Sequence, residues 1–176
     1  LTQFVRFVEA YGFRSLLFEL LTANPRLLEL LVRTLDASET AGGWLIRRPQ
    51  WLEELTRSGM LDRAFDVVQH LERLQSLGAT STNLDPVRIY RQRELLRILL
   101  RDVLRLAPLA QLLAEQNDLA EACLIFTERM VNPDQALTIV ALGKFGGREI
   151  GYGADLDVLF VGVETRAAQS LIATVG

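Results

Sequence analysis

Residues 139–161 read Ile-Val-Ala-Leu-Gly-Lys-Phe-Gly-Gly-Arg-Glu-Ile-Gly-Tyr-Gly-Ala-Asp-Leu-Asp-Val-Leu-Phe-Val. The pattern is a strand, a glycine-rich turn, and a second strand that opens with two carboxylates. Side chains alternate faces along a strand, so Asp155 and Asp157 share one face while Leu156 and Val158 point into the core. Two neighbouring carboxylates repel unless a cation lies between them, and such hard oxygen ligands favour Mg²⁺ carrying a phosphate. Upstream, an apolar strand from Leu137 to Leu142 runs into Gly143-Lys144-Phe145-Gly146-Gly147. The missing side chains there let backbone N–H groups approach phosphate oxygens. Together these parts are laid out to hold a nucleoside triphosphate for nucleotidyl transfer.

An Asp-x-Asp pair or a Gly-Gly pair alone marks little more than a solvated turn. Order and spacing carry the signal. A P-loop is excluded because no Gly-Lys-Ser or Gly-Lys-Thr occurs, and Gly143, Gly146 and Gly147 miss the Gly-x-Gly-x-x-Gly dinucleotide spacing. A glycine-ended strand, a short glycine-rich segment and an apolar-flanked Asp-x-Asp resemble the DNA-polymerase-β-like nucleotidyltransferase superfamily. Lys144 stands where that superfamily usually has serine or glycine. The longer pattern Gly-Lys-x-Gly-Gly-x-Glu-(apolar)-x-(aromatic)-x-Ser-Asp-(apolar)-Asp resembles the glutamine-synthetase adenylyltransferase/deadenylylase family. Gly143, Lys144, Gly146, Gly147, Glu149, Tyr152, Asp155 and Asp157 fit it, and Ala154 departs from it where the family commonly has serine.

The resemblance extends through the helical part of the chain. Residues 7–15, Asn24-Pro25-Arg26-Leu27-Leu28, residues 47–55 and residues 93–102 look like the helical linker of that family and the stretch before its catalytic strand. The resemblance implies a mainly α fold, with a helical array over residues 1–130 followed by the start of an α/β nucleotidyltransferase domain over residues 131–176. It implies Asp155 and Asp157 as catalytic Mg²⁺ ligands, with Gly143, Lys144, Gly146, Gly147 and Arg148 around the nucleotide and Glu149 anchoring the turn. The implied activity is transfer of AMP from ATP to a tyrosine of glutamine synthetase. The alternatives are the deadenylylating, phosphorolytic half of the same enzyme, or a non-catalytic helical module that relays signals from a PII-type partner. A third carboxylate is expected from a later strand, since Glu164 lies too close to Asp157 and on the opposite parity. Residues 1–176 alone are therefore expected to be inactive and to be a piece of a longer protein.

Composition is consistent with this and adds little. The 176 residues carry 19 basic and 22 acidic side chains, a net charge of −3, which argues against nucleic-acid binding through bulk charge. The single cysteine, Cys123, excludes an internal disulfide and stands among apolar neighbours. No stretch free of charge is long enough to span a membrane and no signal peptide is visible, so a cytoplasmic location is expected.

From Leu1 to about Met130 the apolar residues recur at helical spacing. Asn24-Pro25, Ser38 and Pro49 open helices. A further helix is expected from about Asp62 to Leu77, with a polar loop over residues 79–83. Asp85-Pro86 begins a helix reaching about Leu106, Pro108 another reaching about Met130, and Asn132-Pro133 closes the helical part. Arg93, Arg97, Arg101 and Arg105 recur every fourth residue and share one helix face, expected to be solvated or ion-paired with residues such as Glu94 and Asp102 rather than to bind phosphate or an acidic partner. His70 and the pair Trp44 and Trp51 are expected to be structural.

Overall fold

The computed structural model describes residues 2–57, 59–80, 82–132, 137–162, 169 and 171–172. It is mainly helical with a two-stranded antiparallel sheet. Two compact units divide the chain. One holds residues 1–63 and 95–108, the other residues 64–94 and 109–176.

The first unit contains α1 (Thr2–Tyr11), α2 (Arg14–Ala23), α3 (Pro25–Ala37), α4 (Glu39–Arg47), α5 (Gln50–Arg57) and a 3₁₀ turn at Met60–Asp62. Ser38 starts α4 as expected, its hydroxyl accepting the Ala41 N–H at 3.2 Å. Pro25 occupies the first turn of α3, where its missing N–H has no helical acceptor to lose. Asn24 holds the N-cap position of α3 but its side-chain amide donates to the Leu20 carbonyl at 2.9 Å. It thus serves the end of α2 rather than the start of α3. Phe7, Leu17, Leu31, Leu45, Trp51, Leu52 and Leu55 meet in one core, against which Trp44 packs half-buried. Both tryptophans are therefore packing residues, and the Arg48 guanidinium lies 5.0 Å from the centre of the Trp51 ring.

The long helix α7 (Asp85–Val103) contributes its second half to this unit, and here the expected arginine face is corrected. Arg97 and Arg101 are only 0% and 3% exposed. Arg97 donates to the Arg63 carbonyl at 2.6 Å, and Arg101 to the Leu61 carbonyl at 2.7 Å. The 59–63 turn leaves main-chain carbonyls without helical partners, and a guanidinium at the end of a long apolar stem can reach them while its stem packs in the core. Arg93 does pair with Glu94, at 3.2 Å, and Arg105 lies exposed beyond the end of α7.

The second unit is built on α6 (Val67–Gln75) and α8 (Leu109–Val131). The helix expected from Asp62 begins instead at Val67. Asp66 and Gln69 form a reciprocal capping box, with Gln69 N–H to Asp66 Oδ1 at 2.8 Å and Asp66 N–H to Gln69 Oε1 at 3.1 Å, and this fixes the helix start. The Phe65 N–H just before it donates to buried Glu115 at 3.1 Å. His70 is fully buried, its Nδ1 2.7 Å from the Tyr90 hydroxyl and its ring edge-on to Phe65 and Tyr90. It is a structural histidine. Thr80 and Asn83 close the expected polar loop.

Cys123 is buried on α8 and its thiol is pushed up to about 12 by that burial, offset in part by Arg91. The thiolate is the reactive species. Native protein at pH 8 should therefore not react with a chromogenic disulfide reagent, whereas denatured protein should release one equivalent. Rapid labelling of the native state would show that α8 opens readily.

Candidate functional site

The strands β1 (Leu137–Ala141) and β2 (Val158–Gly162) pair antiparallel from Leu137↔Gly162 to Ala141↔Val158. One further bond, Leu142 N–H to the Asp157 carbonyl at 2.8 Å, extends the pairing by a residue. The chain then turns into the one-turn helix α9 (Gly143–Gly146). Asp155 and Asp157 therefore precede β2 instead of opening it. Once β1 has ended and the chain has turned away, residues before Asp157 have no partner strand. The alternation nevertheless persists. Asp155 and Asp157 are exposed, while Leu156 and Val158 are half-buried rather than core.

The turn brings Gly143 and Asp157 together. Gly143 has φ +52°, and a Cβ placed on it would lie 3.2 Å from Asp157 Cγ and closer still to Oδ2. The missing side chain is thus what lets the carboxylate rest against the backbone of the turn. Gly146 is constrained for a different reason, since a Cβ there would lie 2.7 Å from the Ala141 carbonyl. Its N–H bonds to the Leu142 carbonyl at 2.8 Å. Phe145 and Ile150 are buried at either end of the turn, so apolar burial holds it while Gly143, Lys144, Gly146, Gly147, Arg148 and Glu149 remain exposed.

Glu149 contributes through its backbone, whose N–H donates to the Lys144 carbonyl at 2.7 Å. Its carboxylate lies over Gly147, 3.2 Å from where a Cβ would stand. Arg148 adopts φ +58°, a left-handed conformation that costs an L-residue about 1 kcal/mol. Its guanidinium turns to α8, where it pairs with Asp118 and, at 3.0 Å, with Glu121. The hydrogen bond it donates to Asp118, reinforced by Glu121, holds its positive charge more firmly than in a free arginine. The sequence reading missed Asp118 and Glu121, because two acids on a helix give no local sign of a partner 30 and 27 residues away. A groove of about 690 Å³ beside this pair is lined by Glu121, Leu124, Leu137, Ile139, Phe145 and Arg148 among others.

The donors fit Mg²⁺. Asp155 and Asp157 are both exposed, Gly143 makes room for the Asp157 carboxylate, and Mg²⁺ is commonly held by one or two carboxylates with water and substrate phosphates completing the octahedron. Among the described residues no group of three or more His, Cys, Asp or Glu is gathered. Glu164 lies outside the described residues. No helix among those described is long and apolar enough to cross a membrane.

Comparison with known proteins decides the family. The model of the glutamate-ammonia ligase adenylyltransferase family matches residues 28–173. The chain belongs to this adenylyltransferase family. Its relatives include bifunctional glutamine synthetase adenylyltransferase/adenylyl-removing enzymes. The one from Streptomyces avermitilis is 36% identical over 175 residues, covering 93% of this chain and 17% of the relative. That from Burkholderia mallei is 32% identical over 166 residues, covering 88% of this chain and 18% of the relative. A third, from Ralstonia nicotianae, is 31% identical over 174 residues, covering 92% and 18% respectively. The chain thus spans under a fifth of the length of these adenylyltransferase relatives.

The Gly143–Asp157 contact is open to test. Gly143→Ala should destabilise the protein by about 1–2 kcal/mol from the left-handed backbone alone. It should also displace the Asp157 carboxylate from the turn. Thermal unfolding measures the first effect, and an alanine variant as stable as the parent would remove this contact from the turn.

Proposed function

We propose that residues 131–176 open a nucleotidyltransferase domain that transfers AMP from ATP to a tyrosine of glutamine synthetase, and that residues 1–130 are the helical region leading into it. The observation that carries this reading is the exposed Asp157 carboxylate set against the Gly143 turn, with exposed Asp155 two residues before it. The family membership and the names of the relatives support it. In the reaction the tyrosine hydroxyl gives up its proton to solvent, its oxygen attacks the α-phosphorus of ATP to form a new O–P bond, and pyrophosphate departs with the electrons of the broken P–O bond.

Asp155 and Asp157 would hold Mg²⁺. When bound, Mg²⁺ neutralises phosphate charge and stabilises the attacking and leaving oxygens. The exposed backbone of Gly143, Gly146 and Gly147 lets the triphosphate approach closely, and exposed Lys144 brings a positive charge to it. A third carboxylate would come from outside the described residues. The enzyme acts in the cytoplasm, and the helices relay the signal of a PII-type regulatory partner.

The test is intact-mass measurement of glutamine synthetase after incubation with the full-length gene product, ATP and Mg²⁺. An AMP-sized gain is expected. Loss of AMP from adenylylated glutamine synthetase in the presence of orthophosphate, without any gain, would assign the chain to the adenylyl-removing activity. No change in either assay would sink the reading.

A further inference from the structure

Among the described residues, the charge of Arg148 in the glycine-rich turn is directed to another element, α8. Two carboxylates one helical turn apart, Asp118 and Glu121, take the two terminal nitrogens of its guanidinium. A fork of N–H donors meeting two acceptors fixes orientation as well as distance, which a point charge such as lysine does not do. The Asp118 side chain is 17% exposed, while Arg148 itself is about half exposed. The backbone of Arg148 is in the left-handed region, where an arginine is disfavoured, and the turn ends there with Arg148 N–H on the Phe145 carbonyl and Glu149 N–H on the Lys144 carbonyl. A guanidinium engaged in this way is not free to meet a triphosphate. It is well placed to hold the turn that does.

We propose that Arg148 is a positioning residue, latching the phosphate-facing turn of residues 143–149 to α8 through Asp118 and Glu121, and that it does not contact the nucleotide. The inference rests on the nucleotidyl-transfer reading of this site. It also gives α8 a route to the turn, since any displacement of α8 that separates Asp118 and Glu121 from Arg148 releases the loop.

The experiment compares Arg148→Asn with Asp118→Asn/Glu121→Gln in the full-length gene product. Asparagine tolerates the left-handed backbone, so the first variant removes the guanidinium with little change of φ. The second leaves Arg148 intact and alters only polar groups on α8. Both are expected to lower kcat for AMP transfer by roughly 10- to 100-fold, the scale for loss of a group that orients a reacting site. The KM for ATP should stay within about twofold, and the combined variant should be no slower than Arg148→Asn alone, because one latch is broken in each. Hydrogen exchange at the amides of residues 143–149, measured without substrates, should accelerate in both. A raised KM for ATP in Arg148→Asn alone, with the α8 variant unchanged, would overturn the proposal and make Arg148 a nucleotide contact. Unchanged kcat and exchange in both variants would also overturn it. If the parent protein transfers no AMP, the functional reading fails instead, and the exchange data still judge the latch.

Discussion

Asp155→Asn/Asp157→Asn in the full-length gene product should reduce AMP transfer to glutamine synthetase by at least about 10²-fold, the lower bound set by what loss of even an outer-shell metal contact can cost. Each substitution preserves shape and removes a negative charge, and an amide offers a cation only a neutral oxygen beside a repelling NH₂ group. Folding should be almost untouched. Both side chains are exposed, and surface changes of this kind usually stay within about 0.5 kcal/mol. The Asp157 backbone carbonyl, which receives the Leu142 N–H at 2.8 Å, remains in place. The relevant readings are the mass of glutamine synthetase and the unfolding temperature of the variant. Lost transfer with an unchanged unfolding temperature assigns the carboxylates to chemistry. Transfer at the parental rate would remove them from the site and with them the case for metal-assisted transfer here.

The largest effect on stability is expected in the other unit. Arg97→Met should destabilise the protein by about 2–3 kcal/mol, because methionine keeps part of the buried apolar stem while the part-buried Arg63 carbonyl loses a charged donor. For a chain of this size that is a fall of roughly 5–10 °C in the unfolding midpoint. Arg101→Met removes the donor to the Leu61 carbonyl and should cost a similar amount. The double variant should fall short of the sum, since both arginines hold the same 59–63 turn. Arg105→Asn is the control. Arg105 is exposed and has φ +56°, a conformation asparagine accepts more readily than arginine, so its midpoint should not fall. Equal effects at Arg97 and Arg105 would return the whole arginine row to a solvated face.

The carboxylate pair was visible because alternation along an extended segment is a local property. It survived even though β2 begins only at Val158, since Asp155 and Asp157 stay on one side as long as the backbone is extended. Gly143 was visible as a glycine, but the reason for it, the Asp157 carboxylate lying where a Cβ would go, belongs to the turn that joins the strands. The start of α6 was misplaced by about five residues, although Asp66 and Gln69 stand at capping-box spacing. Apolar spacing alone does not separate the two starts, whereas the reciprocal capping bonds do.

The sequence by itself determined the helical character of the first 130 residues, the proline and serine helix starts, the strand and glycine-rich turn, and the shared face of Asp155 and Asp157. All of these follow from preferences that act over a few residues: periodicity, capping, and the freedom of glycine. Only the tertiary structure decided that Arg97 and Arg101 are buried beneath the 59–63 turn and that Arg148 reaches back to Asp118 and Glu121 on α8. Periodicity states which side chains share a face, and it is silent on what covers that face. A guanidinium with a long stem can end in water, on a phosphate, on a carboxylate or on a main-chain carbonyl. The choice is made by whichever unpaired acceptor packing brings within reach, here across 27 to 40 residues of chain.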